Sequence, residues 1–367
     1  MSVYILSSAR TPVTSFLGGF SNLKATELGG YAIKEAVLRS GVSKQKVDEV
    51  IIGQVIQAGS GQSPARQATI FGELPNSVPA TTINKVCGSG MKSLIMGAQS
   101  ILAGDNSLVV TGGMENMSMA PHLLTNGRSG IKFGEGKILD SMQLDGLWDV
   151  YTDQAMGNCA ELCVDKYQIS REEMDEYAIM SFERAQRAQS DGVFELEIVP
   201  IEIKGRKGQK SLIEIDEGPS KVNFEKIPKL RSAFKKDGSI TAANSSTIND
   251  GAASIVIGGE EFSSQADFKI IAYASHAQEP EWFTTAPVEA TKKCLKKANL
   301  SLNEIDLFEI NEAFAVVALA AIKELELDIS KVNIYGSAIS LGHPIGVSGT
   351  RIVMALMTAL KREKKRY

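Results

Sequence analysis

Two segments of the chain recur about 260 residues later and in the same order. The stretch 41–53 (GVSKQKVDEVIIG) resembles 299–311 (NLSLNEIDLFEIN), an offset of 258 residues. The stretch 89–104 (SGMKSLIMGAQSILAG) resembles 348–363 (SGTRIVMALMTALKRE), an offset of 259 residues. Because two separate matches keep nearly the same offset, the sequence predicts a fold of two similar halves, with a period far longer than that of solenoid repeats.

Strand-like and helix-like patterns alternate along the first half. The predicted order is strand, helix, strand, helix, strand, over 2–9, 25–41, 47–56, 87–104 and 106–113. Apolar residues follow one face of the second helix, namely Met91, Leu94, Ile95, Ala98, Ile101 and Leu102. This alternation predicts an α/β fold with largely parallel strands. In the second half, 308–321 (FEINEAFAVVALAA) is predicted to begin as a strand that ends before Asn311.

The two halves are separated by an insertion that has no counterpart elsewhere in the chain. The predicted division is an N-terminal core half of residues 1–118 plus 249–264, a loop domain of residues 119–248, and a C-terminal core half of residues 265–367. The offset adds one expectation about the second half. A strand that begins at Leu108 in the first half would begin at Tyr367 in the second, so the last two C-terminal strands are apparently missing from these 367 residues.

The composition limits the kinds of molecule that the chain is expected to bind and the compartment in which it is expected to work. The net charge is −4 with both signs mixed, which gives no electrostatic reason to expect nucleic acid or an anionic membrane. The four cysteines are irregularly spaced, as is usual in a reducing compartment. The N-terminus runs directly into a strand pattern, and no apolar run approaches the roughly 20 residues of a membrane-spanning helix. The sequence therefore predicts a cytoplasmic protein without a nucleic-acid or membrane partner.

Three features of the insertion are interpreted as structural. Ser170 and Glu173 form a capping box ahead of a helical pattern. The basic stretch 204–210 (KGRKGQK) is interpreted as a solvated hairpin. Cys159 and Cys163 lie four residues apart on an apparent helix, but zinc usually takes four ligands and no second pair lies nearby. No metal site is expected.

Cys87 lies in NKVCGSGMKS, directly before the second predicted helix. A helix N-terminus carries unpaired N–H groups and a partial positive charge, and both favour a thiolate over a thiol. Gly88 and Gly90 leave space beside the sulfur for a substrate and free N–H groups for an oxyanion. The alternative is a buried inert thiol, which is common in cytosolic proteins. The glycines favour a nucleophile.

The chain has only three histidines, which limits any acid–base scheme: His122, His276 and His343. His343 lies in SLGHPIGVSGTR, just before the helix that repeats the Cys87 helix. If the halves pack with pseudo-twofold symmetry, Cys87 and His343 face one another. A histidine beside Gly and Pro can also simply fill a turn, but the mirrored placement favours a shared site. Asn311 follows a predicted strand, where polar residues suit a site, and the alternative of an ordinary loop amide stays equally open.

Jointly, these motifs resemble those of the thiolase family. The chain carries NKVCGSGMKS, GGMENMSMAPH, KLRSAFKKDGSITAANSSTINDGAAS, NEAF and SLGHPIGVSGTRI at the family's positions and in its order. The resemblance covers the whole chain and implies a five-layered αβαβα fold of two similar halves with an inserted loop domain. It implies that Cys87 is the acetylated nucleophile and that His343 takes its proton and helps to stabilise the thioester oxyanion. Asn311 would position a water in the same oxyanion hole.

Among thiolases, the sequence is most similar to acetyl-CoA acetyltransferases, which condense two acetyl-CoA reversibly to acetoacetyl-CoA and coenzyme A. The resemblance implies acyl-CoA substrates, no covalently bound cofactor, and assembly as a homodimer or homotetramer. By the family pattern, the contacts to coenzyme A fall in and around the loop domain, near Leu147, Met156, Leu230, Phe234, Ala242, Ser246, Phe283 and Phe314.

Two departures from the family pattern bear on function. Ala155 stands where many relatives have histidine, which would alter a contact to coenzyme A. The family's C-terminal Cys-x-Gly-Gly-Gly segment, whose cysteine removes the methyl proton, is not among the 367 residues. Two alternatives stay open: a degradative 3-ketoacyl-CoA thiolase, and a catalytically impaired CoA-binding or oligomer-forming protein. A ketoacyl synthase is a weaker alternative, because the chain has too few histidines for that pattern.

Overall fold

The computed structural model describes residues 2–204 and 209–367. Its α-helices are α1 (Ala25–Ser40), α2 (Pro64–Phe71), α3 (Ser89–Ala103), α4 (Ser141–Gly146), α5 (Met156–Tyr167), α6 (Arg171–Ser190), α7 (Ala286–Ala298), α8 (Ala315–Glu324), α9 (Ala338–Leu341) and α10 (Ser348–Arg362). Its strands are β1 (Val3–Arg10), β2 (Thr14–Ser15), β3 (Glu49–Gly53), β4 (Ala80–Ile83), β5 (Leu108–Asn116), β6 (His122–Leu123), β7 (Leu139–Asp140), β8 (Trp148–Asp149), β9 (Gln154–Ala155), β10 (Ile201–Lys204), β11 (Lys210–Ile213), β12 (Asn249–Gly258) and β13 (Phe268–Ile270).

Within the described residues, seven strands form one mixed sheet in the order β13–β1–β12–β5–β3–β4, with β2 paired to β12. Strand β3 runs parallel to both β4 and β5, whereas β12 runs antiparallel to both β1 and β5. The prediction of largely parallel strands is therefore wrong for the middle of the sheet. Strand β12 arrives from the inserted segment and not through a helix that crosses the sheet, so nothing forces it to run parallel to its neighbours.

Helices cover both faces of this sheet. Side chains alternate along β3: Val50 and Ile52 pack with α1 and α2, while Ile51 packs with α3 and α10. Each such aliphatic side chain contributes about 1.5–3 kcal/mol when it is fully buried. The N-terminus of α3 consequently lies where the parallel strands β3 and β4 end, which is the edge at which α/β sheets carry their sites.

The predicted duplication is visible in the hydrogen bonds of two aspartates. The carboxylate of Asp48 accepts the backbone N–H of Leu108 at 2.9 Å, and the carbonyl of Leu108 accepts the N–H of Asp48 at 2.9 Å. Likewise, the carboxylate of Asp306 accepts the N–H of Tyr367 at 3.1 Å, and the carbonyl of Tyr367 accepts the N–H of Asp306 at 2.9 Å. Tyr367 thus holds the place in the second half that Leu108 holds in the first, as the offset predicts.

The two repeated helices meet at their N-termini. A Cβ atom on Gly90 of α3 would collide with Thr350 of α10, and a Cβ atom on Gly349 of α10 would collide with Met91 of α3. Each glycine lies at the second position of its helix. The close approach of these two helices therefore brings the segments that precede them, with Cys87 and His343, to one place.

The strand predicted to end before Asn311 is not formed as a regular strand. Among the described residues, Phe308 makes a single parallel bridge, to Val332. The N–H of Ile310 is accepted by the side chain of Asn333 at 2.8 Å and not by a neighbouring strand. A β-ladder needs hydrogen bonds to a partner strand at successive residues. This extended segment makes only the one bridge from Phe308 to Val332.

An apolar core joins the inserted segment to the second half, since α5 and α6 pack against α8. The predicted capping box is confirmed, since Ser170 and Glu173 satisfy one another's backbone N–H groups at the start of α6. The predicted hairpin is formed by β10 and β11, and its tip at 205–208 lies outside the described residues. The division into residues 1–118 plus 249–264, 119–248 and 265–367 stays a prediction. No helix in the described part of the chain is long and apolar enough to span a membrane.

Candidate active site

Cys87 is presented by a tight turn between β4 and α3. Val86, just before it, has φ 47°, a left-handed conformation that is uncommon for a β-branched residue. The hydroxyl of Ser89 accepts the N–H of Lys85 at 2.8 Å and donates to the carbonyl of Val86 at 2.6 Å. The side chain of Asn84 accepts the N–H of Val86 at 2.9 Å. These bonds hold the strained turn, which leaves Cys87 half-buried directly before the helix.

His343 is held from three sides. Its backbone N–H donates to Asn249 Oδ1 at 2.9 Å, and the preceding Gly342 has φ 102°, which favours glycine. Its ring Nδ1 lies 2.5 Å from Ser348 Oγ, and its Nε2 lies 3.1 Å from Cys87 Sγ. The structure therefore brings together the thiol and the imidazole that the sequence analysis singled out.

The thiol and the imidazole are both neutral in this geometry. Burial raises the pKa of Cys87 to about 12, and the negative charge of Glu115 raises it further, although the helix N-terminus lies close by. Burial also lowers the pKa of His343 to about 3, and the charge of Arg351 adds to this effect. The expectation that the helix N-terminus favours a thiolate is thus wrong for the resting protein, because desolvation outweighs the helix dipole.

The protonation states fix the direction of the hydrogen bonds around His343. The thiol of Cys87 holds its proton and donates it to Nε2 of His343. The other ring nitrogen, Nδ1, is then protonated and donates to Ser348 Oγ. Nε2 is consequently free to receive the thiol proton when the sulfur attacks an electrophile.

Asn311 differs from the other two predicted catalytic residues. In the described part of the chain, no hydrogen bond joins it to Cys87 or His343, and its Oδ1 is buried without a partner. A buried unpaired amide oxygen costs roughly 1–3 kcal/mol unless something else satisfies it. A hydrogen-bond donor, such as a water or a group of a substrate, suits this atom.

Three of the predicted coenzyme A contacts form an aromatic cluster. The ring centroid of Phe314 lies 6.0 Å from that of Phe234 and 6.4 Å from that of Phe283, both in edge-to-face geometry. Phe314 is almost fully buried, whereas Phe234 is 38% exposed. Phe234 also covers Gly157 at the start of α5, where a Cβ atom would collide with its ring. The cluster therefore offers an apolar surface with one accessible side.

The remaining predicted contacts lie around the same cluster or lead from it to the nucleophile. The N–H of Met156 donates to the carbonyl of Leu147 at 3.1 Å, and Leu147 belongs to the apolar cluster that contains Cys87. The N–H of Ser246 donates to the carbonyl of Ala313 at 2.9 Å, beside Phe314. Ala242 is exposed in the same loop, and the carbonyl of Leu230 is held by Arg171 at 3.1 Å.

Family models account for nearly the whole chain. The thiolase N-terminal domain matches residues 3–261, and the thiolase C-terminal domain matches residues 264–367. The chain belongs to the thiolase family. The thiolase fold expected from the sequence is also confirmed by a crystal structure of the Bacillus anthracis acetyl-CoA acetyltransferase, with TM-score 0.96 and 39% identity over 99% of this chain and 93% of that one.

Other relatives are similarly close. The Acat5 thiolase from Ascaris suum, solved in complex with coenzyme A, matches with TM-score 0.93 and 44% identity over 98% of this chain and 94% of that one. Acetyl-CoA acetyltransferase 2 of Arabidopsis thaliana is 49% identical over all of this chain and 92% of its own length. The cytosolic acetyl-CoA acetyltransferase ERG10 of Gibberella zeae is 46% identical over 99% of this chain and 92% of its own. These relatives give no support to the alternative of a catalytically impaired protein.

Three residues around the thiolase site were not predicted from the sequence to have a role there: Asn249, Ser348 and Glu115. Ser348 had a detectable signal, because the offset pairs it with Ser89. Each of these serines uses its hydroxyl to hold the turn that precedes its helix, since Ser348 Oγ also donates to the carbonyl of Pro344 at 3.2 Å. Glu115 and Asn249 lie within two of the family motifs, GGMENMSMAPH and the segment that ends in NDGAAS, but these motifs do not indicate that either residue acts on segments far away in sequence.

The other cysteines lie apart from the site. Cys159 and Cys163 are buried in α5, and Cys294 lies half-buried in α7. Burial is the main cause that raises the pKa of each of these thiols. Across 2–204 and 209–367, no group of three or more His, Cys, Asp or Glu side chains is arranged to hold a metal ion.

Proposed function

We propose that this thiolase is an acetyl-CoA C-acetyltransferase, which condenses two acetyl-CoA into acetoacetyl-CoA and coenzyme A through an acetyl-Cys87 intermediate. The observation that carries the proposal is the 3.1 Å approach of His343 Nε2 to Cys87 Sγ. Relatives that align over nearly the whole chain are named acetyl-CoA acetyltransferases, which supports this substrate class.

In the first half-reaction, Cys87 Sγ attacks the thioester carbonyl of acetyl-CoA while its proton passes to His343 Nε2. Because burial raises the pKa of the Cys87 thiol well above neutral pH, proton transfer to His343 accompanies the attack. The tetrahedral intermediate then expels the thiolate of coenzyme A, which takes the proton from His343. The products are acetyl-Cys87 and free coenzyme A, and no other reactant is needed.

The intermediate develops a negative oxygen that needs hydrogen-bond donors. We propose that protonated His343 and a water held by Asn311 supply them. The buried, unpaired Oδ1 of Asn311 supports this role, because it can accept a hydrogen bond from such a water. In the second half-reaction, a base takes a methyl proton from a second acetyl-CoA, a role that the family resemblance gives to the cysteine of a segment not among these 367 residues. The carbanion then attacks acetyl-Cys87, the carbon–sulfur bond breaks, and the released Cys87 thiolate takes up a proton, so that one proton is removed and one is returned.

Coenzyme A is proposed to lie against the cluster of Phe234, Phe283 and Phe314. Two features support this location: the accessible face of Phe234, and the link from Met156 through Leu147 to the apolar cluster around Cys87. Leu230, Ala242 and Ser246 are proposed as further contacts. The relative solved with coenzyme A shares the fold at 44% identity.

The proposal is tested by three measurements on the purified chain. Incubation with acetyl-CoA should add one acetyl group to the Cys87 peptide, detected by mass spectrometry. A coupled assay should detect acetoacetyl-CoA from acetyl-CoA, and an ultraviolet assay should detect its thiolysis by coenzyme A. Absence of acetyl-Cys87 and of both activities would contradict the proposal.

A degradative thiolase of longer 3-ketoacyl-CoA is the second candidate. It is favoured by relatives from Staphylococcus aureus that are 46% identical and are named probable acetyl-CoA acyltransferases. Thiolysis rates for acetoacetyl-CoA and for a longer 3-ketoacyl-CoA separate the two. An acetyl-CoA acetyltransferase should prefer the shorter substrate, and a reversed preference would favour the second candidate.

We also propose a homodimer or homotetramer in the cytoplasm. The relative named as cytosolic supports the location. Exposed apolar side chains, such as Phe71 at the end of α2 and Val86 in the nucleophile turn, support contact with another copy of the chain. Light scattering should therefore give a mass of two or four chains, and a monomeric mass would contradict the assembly.

A further inference from the structure

A buried carboxylate lies where the site's loops meet. Glu115, at the end of β5, has no exposed surface, and its Oε2 accepts the backbone N–H groups of Val55 and Gly346, each at 2.9 Å. Its Oε1 accepts the N–H of Ile56 at 3.1 Å. Glu115 therefore holds three backbone donors from two segments that lie about 290 residues apart in sequence.

The two segments are those that flank the reacting pair. Val55 and Ile56 belong to the apolar cluster that contains Cys87. Gly346 follows His343 by three residues and lies in the turn that leads into α10. Gly346 has no space for a side chain, since a Cβ atom there would come within 2.6 Å of the Glu115 carboxylate. The turn that carries His343 is thus packed directly on Glu115.

We propose that Glu115 is a positioning residue of the acyl-transfer site, which clamps the His343 turn to the segment after β3 and thereby sets the distance from His343 Nε2 to Cys87 Sγ. This inference rests on the proposed function only in that acyl transfer needs this distance. A displacement of about 1 Å in a catalytic group can cost on the order of 10²-fold in rate.

The charge of Glu115 gives the clamp a second effect. The ionisable groups that interact with it are Cys87 before α3 and Asp250 of β12. Burial, followed by the charge of Asp250, raises the pKa of Glu115 to about 7, while the three N–H groups oppose this. Ionised Glu115 in turn raises the pKa of the Cys87 thiol. The same carboxylate therefore positions His343 and, when ionised, adds to the effect of burial on the pKa of the Cys87 thiol.

Two substitutions distinguish the effect of Glu115 on the position of the His343 turn from the effect of its negative charge on Cys87. In Glu115→Gln the amide oxygen can accept at most two of the three N–H groups, and the negative charge is lost. In Glu115→Asp the charge stays, but the carboxylate is one methylene shorter. The matched control is Glu161→Gln, because Glu161 is also a buried carboxylate that accepts backbone N–H groups, from Ser239 and Ile240 in the insertion.

The first measurement is the rate at which acetyl-CoA acetylates Cys87. We expect the acetylation rate to fall about 10- to 100-fold in both Glu115 variants. The rate of Glu161→Gln should stay within about twofold of the wild-type rate. Folded Glu115 variants that acetylate Cys87 at the wild-type rate would overturn the proposal.

The second measurement is alkylation of Cys87 by iodoacetamide as a function of pH. In the wild type and in Glu115→Asp, ionisation of the carboxylate near pH 7 should reduce the slope of log rate against pH, because it raises the thiol pKa. In Glu115→Gln the slope should stay constant. An identical reduced slope in Glu115→Gln would show that Glu115 is not the group that acts on Cys87.

If the variants fail to fold, hydrogen exchange on the wild type still tests the clamp. Peptides that contain Val55–Ile56 and Gly346 should lose protection together as the pH falls below about 7, relative to the peptide around Ile240. Unchanged protection at both places would overturn the proposal. Because alkylation and exchange need no acetyl-CoA, failure of the proposed function would appear separately, as absence of acetyl-Cys87 in the wild type.

Discussion

Asn249 and His343 lie 94 residues apart in sequence and are joined by a hydrogen bond of 2.9 Å, from the backbone N–H of His343 to the side-chain oxygen of Asn249. Asn249 begins β12, the central antiparallel strand of the sheet, and its amide also donates to the carbonyl of Thr14 at 3.0 Å. The rigid centre of the sheet thus fixes the backbone on which the imidazole is mounted.

The tight contact between Asn249 and Gly342 predicts that Gly342→Ala lowers both stability and Cys87 acetylation. Gly342 has φ 102°, and a Cβ atom there would lie 2.5 Å from the Asn249 amide. We expect a loss of at least about 1–3 kcal/mol in the free energy of unfolding, from strain. Gly104→Ala is the control, since Gly104 has φ 85° with nothing within 4 Å. Equal effects of both changes would mean that backbone conformation alone, and not the Asn249 contact, is responsible.

The pairing of thiol and imidazole predicts unequal losses in two variants. Cys87→Ala should abolish acetyl transfer, because no nucleophile remains, whereas His343→Ala should reduce it by about 10²–10⁴-fold. The measurement is acetoacetyl-CoA formation together with the mass of the Cys87 peptide. Cys294→Ala is the control and should retain activity, because Cys294 lies half-buried in α7, outside the apolar cluster that contains Cys87. Full activity of His343→Ala would contradict the proposed proton transfer.

The bond from His343 Nδ1 to Ser348 predicts a moderate loss in Ser348→Ala. Without the hydroxyl, the buried Nδ1–H has no acceptor, which costs about 1–3 kcal/mol and corresponds to about 10- to 100-fold in acetylation rate. Ser40→Ala serves as a control, because Ser40 is likewise a buried helix serine bonded to a backbone carbonyl. The rate of Cys87 acetylation measures the effect. A rate unchanged from the wild type would exclude a role for Ser348 in holding the ring.

The neutral resting pair predicts how alkylation depends on pH. Because the pKa of Cys87 is raised to about 12 and that of His343 is lowered to about 3, the thiolate fraction should increase with pH throughout the accessible range. The rate at which iodoacetamide labels Cys87 should therefore still be rising at about pH 10. A plateau below about pH 8 would indicate a preformed thiolate–imidazolium pair and contradict the neutral state.

The aromatic cluster predicts an effect on substrate affinity. Phe234→Ala should raise KM for acetyl-CoA by several-fold to about 10-fold, since it removes an accessible aromatic face, while alkylation of Cys87 by iodoacetamide stays unchanged. Phe133→Ala is the control, because Phe133 is 99% exposed. If KM is unchanged while kcat falls, Phe234 acts on the chemistry and not on coenzyme A binding.

Several features could be predicted from the sequence because a local pattern of residues indicates each of them. The offset between repeats made Tyr367 the counterpart of Leu108, and it also predicted that Cys87 and His343 face one another. Helical periodicity and the Ser170 capping box gave α1, α3 and α6 close to their observed bounds. Such patterns depend only on residues that are near one another along the chain, so they can be recognised without knowledge of the fold.

Other features could not be predicted, because they depend on groups brought together from distant segments. The charge state of Cys87 is one of them. A helix N-terminus favours the thiolate, but burial, with a smaller effect from Glu115, raises the pKa of Cys87 and favours the thiol. The direction of β12 is another, since alternation along the chain predicts parallel strands. The regular strand expected before Asn311 also failed, because only Val332 pairs with it.

The sequence by itself determined the repeat, the order of the motifs and the identity of the reacting pair, because these follow from residue type and spacing. Only the tertiary structure decided that this pair is neutral, that Asn249 and Ser348 hold the histidine, and that Glu115 binds both sides of the site. The physical reason is that desolvation and hydrogen bonding act through space, between atoms whose distance along the chain carries no information about their separation in the fold.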